Sequence, residues 1–125
     1  MTNAMNDQLA IIEILEKYFA AVFDGDVGIL NALYHPCTQL YGEIKGQPYA
    51  KTLVLYLSGV QHRECPRDSG KPFKAEVVSV ILINTIAVAR VKVEMFNLEY
   101  HELLAFHKLD ERWVIVNKLI SGLPQ

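Results

Sequence analysis

Four successive runs rich in Val, Ile, Leu and aromatic residues, 73–83, 86–96, 99–109 and 112–120, are separated only by the dipeptides Asn84-Thr85, Asn97-Leu98 and Asp110-Glu111. Two-residue connections can join only antiparallel neighbours, because a parallel crossover needs a dozen or more residues. The runs therefore predict an antiparallel meander in which residues opposite one another share a face. Carried through the three turns, one face collects Val78, Val80, Leu82, Ala87, Ala89, Val91, Val93, Met95, Leu104, Phe106, Trp113, Ile115 and Leu119, with Glu76, Glu102 and Asn117 as its polar members. The reverse face carries Ser79, Arg90, Lys92, Glu94, His101, His107 and Lys118 among Val77, Ile81, Leu103, Val114 and Val116.

So apolar a face has to be covered, each buried Val or Leu contributing roughly 1.5–3 kcal/mol. The first half of the chain supplies the cover. Leu9, Ile12, Leu15, Phe19, Val22 and Phe23 recur at helical spacing opposite Glu13, Glu16 and Lys17, and predict a first helix that Gly25 stops. Asp26 caps a second, short helix carrying Ile29, Leu30, Leu33 and Tyr34 before Pro36. Residues 38–41 read as a short strand, 42–46 as a turn and 48–59 as a third helix, and residues 61–72 hold most of the remaining turn formers and form a surface loop. The expected fold class is α+β, three N-terminal helices packed on a curved antiparallel sheet, with residues 1–125 forming a single domain. The reverse face, part apolar and part charged, has the composition of a subunit interface, so a homodimer through the outer sheet face is expected.

Composition narrows the partners. Twelve Lys plus Arg against fourteen Asp plus Glu give a net charge of -2, without the field that draws a protein to polyphosphate, so nucleic acid is not an expected partner. The longest apolar runs are too short or too charged to cross a bilayer, and residues 1–7 lack a basic patch leading into an apolar stretch, so the expectation is a cytoplasmic protein with no membrane partner. Cys37 and Cys65 are read as free thiols. A four-ligand metal site from His35-x-Cys37 and His62-x-x-Cys65 matches no zinc spacing, and no metal or cofactor is expected. Phosphate loops, nucleophile elbows and metalloprotease helices are absent from the sequence.

The element order, with the strings Lys17-Tyr18-Phe19, Asp24-Gly25-Asp26, Leu33-Tyr34-His35-Pro36, Leu40-Tyr41-Gly42 and the run from Lys108 through Asp110-Glu111-Arg112-Trp113 to Lys118, resembles the nuclear transport factor 2-like superfamily of cystatin-like cone folds. Within it the chain looks most like the branch designated "putative lumazine-binding", or SnoaL-like. The resemblance spans residues 7–121 and implies a cavity between the helices and the inner sheet face. It carries no catalytic signature, because members of the superfamily differ in chemistry. Similarity to ketosteroid isomerases implies that Tyr18 stands where that family keeps the tyrosine donating to a developing oxyanion. That family's base is an aspartate just after the first strand. The matching stretch here reads Tyr41-Gly42-Glu43, which counts against isomerase activity. A second acid of that family falls near 102–105, where Glu102 is the only carboxyl.

Glu102 is the most informative position, since a carboxylate in mid-strand on the apolar face is costly unless hydrogen-bonded or wet. Such a group serves as a general base or acid, as an acceptor for a bound ligand, or simply as a residue satisfied by its neighbours. Asn117 is expected diagonal to it, offering donors and acceptors to the same space or holding the carboxylate in place. Tyr18 is either a hydroxyl of the site or a core tyrosine. Tyr41 and Tyr56 are expected to add hydroxyls, and Trp113 and Phe106 to stack on a planar ligand. Glu102 and Tyr18 are thus the candidate catalytic pair, with Asn117, Tyr41, Tyr56, Trp113 and Phe106 as ligand-binding candidates. The expected function is binding of a small apolar or aromatic metabolite, with cofactor-independent proton transfer or dehydration as the chemistry these groups suit. The alternative is a non-catalytic dimeric scaffold acting through the outer sheet face.

Overall fold

The computed structural model describes residues 3–125. Helix α1 (Asn3–Asp24) turns Ile11, Leu15, Tyr18, Ala21 and Val22 inward, whereas Leu9 lies exposed and Phe19 only half buried. The buried stripe is thus rotated from the expected one, because α1 carries apolar residues around much of its circumference and tertiary packing selects among them. Gly25, at φ +68°, ends α1 in a Schellman motif, with Asp26 N donating to Ala21 O at 2.9 Å and Gly25 N to Val22 O at 3.3 Å. Asp26 then caps α2 (Val27–Leu33) by accepting from Ile29 N.

The chain next enters β1 (Tyr34–Ile44), longer than the strand read at 38–41, and turns through Lys45 and Gly46, both at positive φ, into β2 (Gln47–Thr52). The helix expected over 48–59 is corrected to α3 (Leu53–His62), capped by the Thr52 side chain accepting from Leu55 N. Residues 47–52 pair with β1 instead, an edge position that tolerates Pro48. A short helix α4 (Pro66–Ser69) interrupts the loop expected over 61–72.

The meander follows as β3 (Lys74–Ile83), β4 (Ile86–Met95), β5 (Leu98–Leu109) and β6 (Arg112–Pro124). The six strands form one open sheet in the order β2-β1-β6-β5-β4-β3, every neighbouring pair antiparallel except β1 and β6. The second turn falls at Phe96 and Asn97, both at positive φ, so Met95 pairs with Leu98. Because the side-chain period is two, this displacement by two in the pairing leaves every residue of β5 on its expected face, Glu102 included.

Two β-bulges do change faces. In β3, Val77 opposes Val91 and Ser79 opposes Arg90, leaving Val78 extra. Ahead of that bulge Ala75 and Val77 pack towards the helices, while Glu76 and Val78 are exposed, the reverse of expectation. In β6, Ala105 opposes Asn117 and Phe106 opposes Ile115, leaving Val116 extra. Trp113 and Ile115 stay inside, but beyond the bulge Lys118 and Ile120 point inward and Leu119 outward. Each bulge adds one residue to one strand and inverts all subsequent alternation.

The core fills the space between α1, α2 and α3 and the concave sheet face, with Ile11, Leu15, Leu30, Leu40, Ala89, Val91, Leu104 and Ile115 fully buried. Among the described residues no helix is long and apolar enough to cross a membrane.

Candidate functional site

At the open end of the helix-covered face, α1, α3, β1, β2, β4, β5 and β6 enclose a cavity of about 180 Å³. Its inner wall is a buried polar network. The Tyr18 hydroxyl, from α1, donates to Glu102 Oε1 at 2.6 Å. Lys118 Nζ, from β6, donates to the Tyr18 oxygen at 2.8 Å and lies 3.6 Å from Glu102 Oε2. All three residues are buried, with Glu102 and Lys118 at 2 % and 3 % exposure. The ammonium also sits 4.6 Å from the Tyr56 ring centroid and 5.4 Å from that of Tyr18, so aromatic faces replace part of its lost hydration.

The protonation states follow from this arrangement. Burial, and then the neighbouring Glu102 charge, push the Tyr18 phenol well above its usual range, so it remains a neutral donor. For Lys118, burial acts to lower the pKa, but the Glu102 carboxylate and the surrounding phenols outweigh it and hold the amine above its usual value. A cation, a phenol and a carboxylate are therefore locked together, with the Tyr56 hydroxyl as a further partner of the Lys118 ammonium.

Behind this wall stands Tyr34, whose ring meets Tyr18 edge-on at 6.4 Å and Tyr56 at 5.8 Å. Among the described residues its buried hydroxyl makes no hydrogen bond of ordinary geometry, although it lies near enough to the Tyr18 and Tyr56 hydroxyls to interact with them. The rest of the cavity lining is Val22, Ile44, Tyr49, Gly59, Val60, Val93, Met95, Tyr100 and Ile120, with Lys51 and Arg63 as further cationic members. Gly122, on β6, lets the Tyr100 ring lie flat against the sheet: a Cβ there would approach the ring to 2.7 Å.

Of the residues expected at the site, Glu102, Tyr18 and Tyr56 line this cavity together. The others do not. Asn117 is turned to the opposite face by the β6 bulge and donates to Gln39 O at 3.1 Å. Tyr41 is exposed, its hydroxyl bonded to the Gln39 side chain. Trp113 and Phe106 are buried outside the cavity lining, and the indole N–H of Trp113 reaches Asp7 Oδ1 of α1 at 3.0 Å. His35 Nδ1 accepts from Cys37 N, and among the described residues no group of His, Cys, Asp and Glu is placed to hold a metal.

Sequence reasoning missed Lys118 in the network, and Tyr49, Lys51, Arg63 and Tyr100 in the lining around it. Strict alternation puts Lys118 outside, and the signal against strict alternation was the unbroken apolar run Trp113-Val114-Ile115-Val116, which offers no contrast to pin the register. Tyr100 was legible, since it lies two positions from Glu102 on the same strand and so shares its face.

A family model described as "putative lumazine-binding" matches residues 6–121. No curated protein matches the chain. Among solved structures, an NTF2-like protein of unknown function from Shewanella baltica superposes with a TM-score of 0.87 at 17 % identity, over 100 % of both chains. One from Silicibacter pomeroyi gives 0.86 at 18 % identity, over 98 % of this chain and 100 % of its own. A third, from Methylobacillus flagellatus, gives 0.84 at 22 % identity, over 94 % and 93 %.

Proposed function

The chain belongs to the "putative lumazine-binding" family within the nuclear transport factor 2-like superfamily, and from that premise we propose that its cone cavity binds a small planar metabolite oriented by Glu102, Tyr18 and Lys118. The observation that carries this reading is the Glu102–Tyr18–Lys118 network on the cavity wall. A buried ion pair is a poor device for stability, because well-packed apolar residues of similar volume do as well or better. Placed where a guest would sit, it supplies directed polar contacts.

The cavity volume supports a guest of one small ring system: an apolar cavity of about 150 Å³ accepts benzene. The rings of Tyr18, Tyr49, Tyr56 and Tyr100 give it aromatic walls, suited to a flat heteroaromatic of the type the family description names. The same groups suit cofactor-independent proton transfer, with Glu102 accepting a proton and the positive charge of Lys118 stabilising the oxyanion that develops. Among the sequence candidates, Tyr18, Glu102 and Tyr56 belong to this reading, and Lys118 replaces Asn117 in it.

The test is native mass spectrometry of the protein purified from its own cells. A retained small molecule is expected in the wild type, and its loss in Lys118→Met and Glu102→Gln variants that keep the native circular dichroism spectrum. Loss of nothing from these variants, or an adduct that Tyr100→Ala and Tyr56→Ala also leave untouched, counts against the cavity.

A second reading concerns the outer sheet face, where Ile81, Ile83, Ile86, Val88, Leu103 and Leu119 are exposed beside Lys92, Glu99 and His101. That mixture supports a homodimer in which the face packs on a second copy of itself, leaving both cavities open.

A further inference from the structure

The charges around the cavity do not balance. Its lining includes three cationic side chains, Lys51, Arg63 and Lys118, and a single carboxylate, Glu102. Glu102 is already engaged by the Tyr18 hydroxyl and Lys118. Lys51 and Arg63 have no carboxylate within salt-bridge distance among the described residues, and each instead lies over an aromatic ring: Lys51 Nζ 5.2 Å from the Tyr49 centroid, and the Arg63 guanidinium 5.1 Å from that of Phe96. In a chain whose net charge is -2, two unpaired cations at one rim are not a reflection of overall composition.

Their placement is built into the fold. Lys51 is the penultimate residue of β2, just before α3, and its ammonium lies beside Gly59 of α3, 3.5 Å from where a Cβ on that residue would stand. Arg63 follows α3 directly, its backbone N–H closing the helix on Gly59 O. Both cations therefore stand beside the same helix end, at the solvent side of the cavity, while Lys118 and Glu102 are fully buried at its inner side. The partial negative charge of a helix C-terminus, about half a unit, offsets only part of two full charges.

We propose that the guest of this cavity is a small aromatic carboxylate, its ring among the tyrosines and its acid group held at the rim by Arg63 and Lys51. The assignment rests on the cavity being a ligand site, as set out above, and adds the sign of the ligand's charge. A carboxylate matches the forked donors of Arg63, and an ammonium as neighbour supplies a second charge-assisted hydrogen bond. An anion there completes the local charge balance that the protein leaves open, and an aromatic cation is disfavoured by all three positive groups.

Isothermal titration with benzoate, benzamide and benzylamine, with ¹⁵N-resolved chemical shifts to locate each probe, distinguishes the outcomes. Benzoate is expected to bind at least tenfold tighter than benzamide, with benzylamine weakest, and to shift the amides of β2, α3 and β6 around the cavity. Arg63→Gln and Lys51→Gln, both at positions that are not fully buried, are expected to weaken benzoate about five- to tenfold each and to leave benzamide unchanged, a factor of ten being the scale of one such contact. Equal or tighter binding of benzamide overturns the anionic assignment and leaves the cavity as a ligand site. Benzoate that binds with its shifts on the outer sheet face, or that is indifferent to both rim variants, also overturns it. No binding of any probe to the cavity overturns both the assignment and the site.

Discussion

Tyr18 and Glu102, 84 positions apart in sequence, meet in a 2.6 Å hydrogen bond in which the phenol donates to the carboxylate, and Lys118 closes the arrangement from the phenol's other side at 2.8 Å. In ketosteroid isomerases, the resemblance implied, the tyrosine at this position donates to a reacting oxygen. Here its proton is committed to a carboxylate, and the network's cation is Lys118. That changes which substitutions should matter.

Lys118→Met removes one half of a buried pair and leaves the Glu102 charge uncompensated, a change expected to cost about 3–5 kcal/mol. The double variant Lys118→Met/Glu102→Leu removes both charges and is expected to recover most of that loss. Urea denaturation of the two single variants and the double one measures the coupling, and simple additivity of the two losses contradicts a direct interaction between these residues.

Alkaline pH should unfold the protein through the same group of residues. The folded-state pKa of Lys118 is raised, as is that of Tyr18, so the native state holds protons that the unfolded chain releases at about pH 10. Their contribution is fully present below the unfolded values and is lost as pH rises through the folded ones. Thermal melts from pH 8 to 12 are expected to show Tm falling above about pH 10, and falling less steeply in Tyr18→Phe. A slope unchanged by that substitution contradicts the assignment.

Tyr34 and Tyr18 offer a contrast within one aromatic cluster. The Tyr34 hydroxyl is buried and makes no hydrogen bond of ordinary geometry among the described residues, a penalty of roughly 1–3 kcal/mol, so Tyr34→Phe should leave stability unchanged or raise it. Tyr18→Phe deletes hydrogen bonds to two charged groups and should lower stability by about 1.5–3 kcal/mol. Chemical denaturation of both decides the matter, and a loss above about 1 kcal/mol in Tyr34→Phe indicates that its hydroxyl is satisfied in solution.

Leu103 projects from the outer sheet face next to Arg90, its partner across the β4–β5 ladder. If that face joins two copies, Leu103→Glu places a carboxylate in each half of a symmetric contact and is expected to shift the sedimentation coefficient from dimer to monomer without lowering the stability of the subunit. A wild type that sediments as a monomer at all concentrations removes the dimer reading.

Local features of the chain were legible wherever one chemical group decides them. Gly25 in a Schellman motif and Asp26 as the cap of α2 follow from residues within five positions of each other. The meander follows from turns too short for any other connection, and the inward direction of Glu102 survived a misplaced turn because the displacement was even. The rotation of α1, the pairing of residues 47–52 with β1, and the parallel contact of β1 with β6 depend on partners far away in sequence.

The sequence by itself determined that an apolar sheet face exists, that helices must cover it and that a carboxylate points into the space between. Which residues meet that carboxylate was decided only by the tertiary structure. One extra residue, Val116, is accommodated where β6 must pair with β5 on one side and β1 on the other. That bulge turns Lys118 inward and Asn117 outward, and so sets the charge of the site. Alternation is a local rule with a period of two, and a single bulge, whose cost or gain depends on the whole sheet, reverses it for every residue that follows.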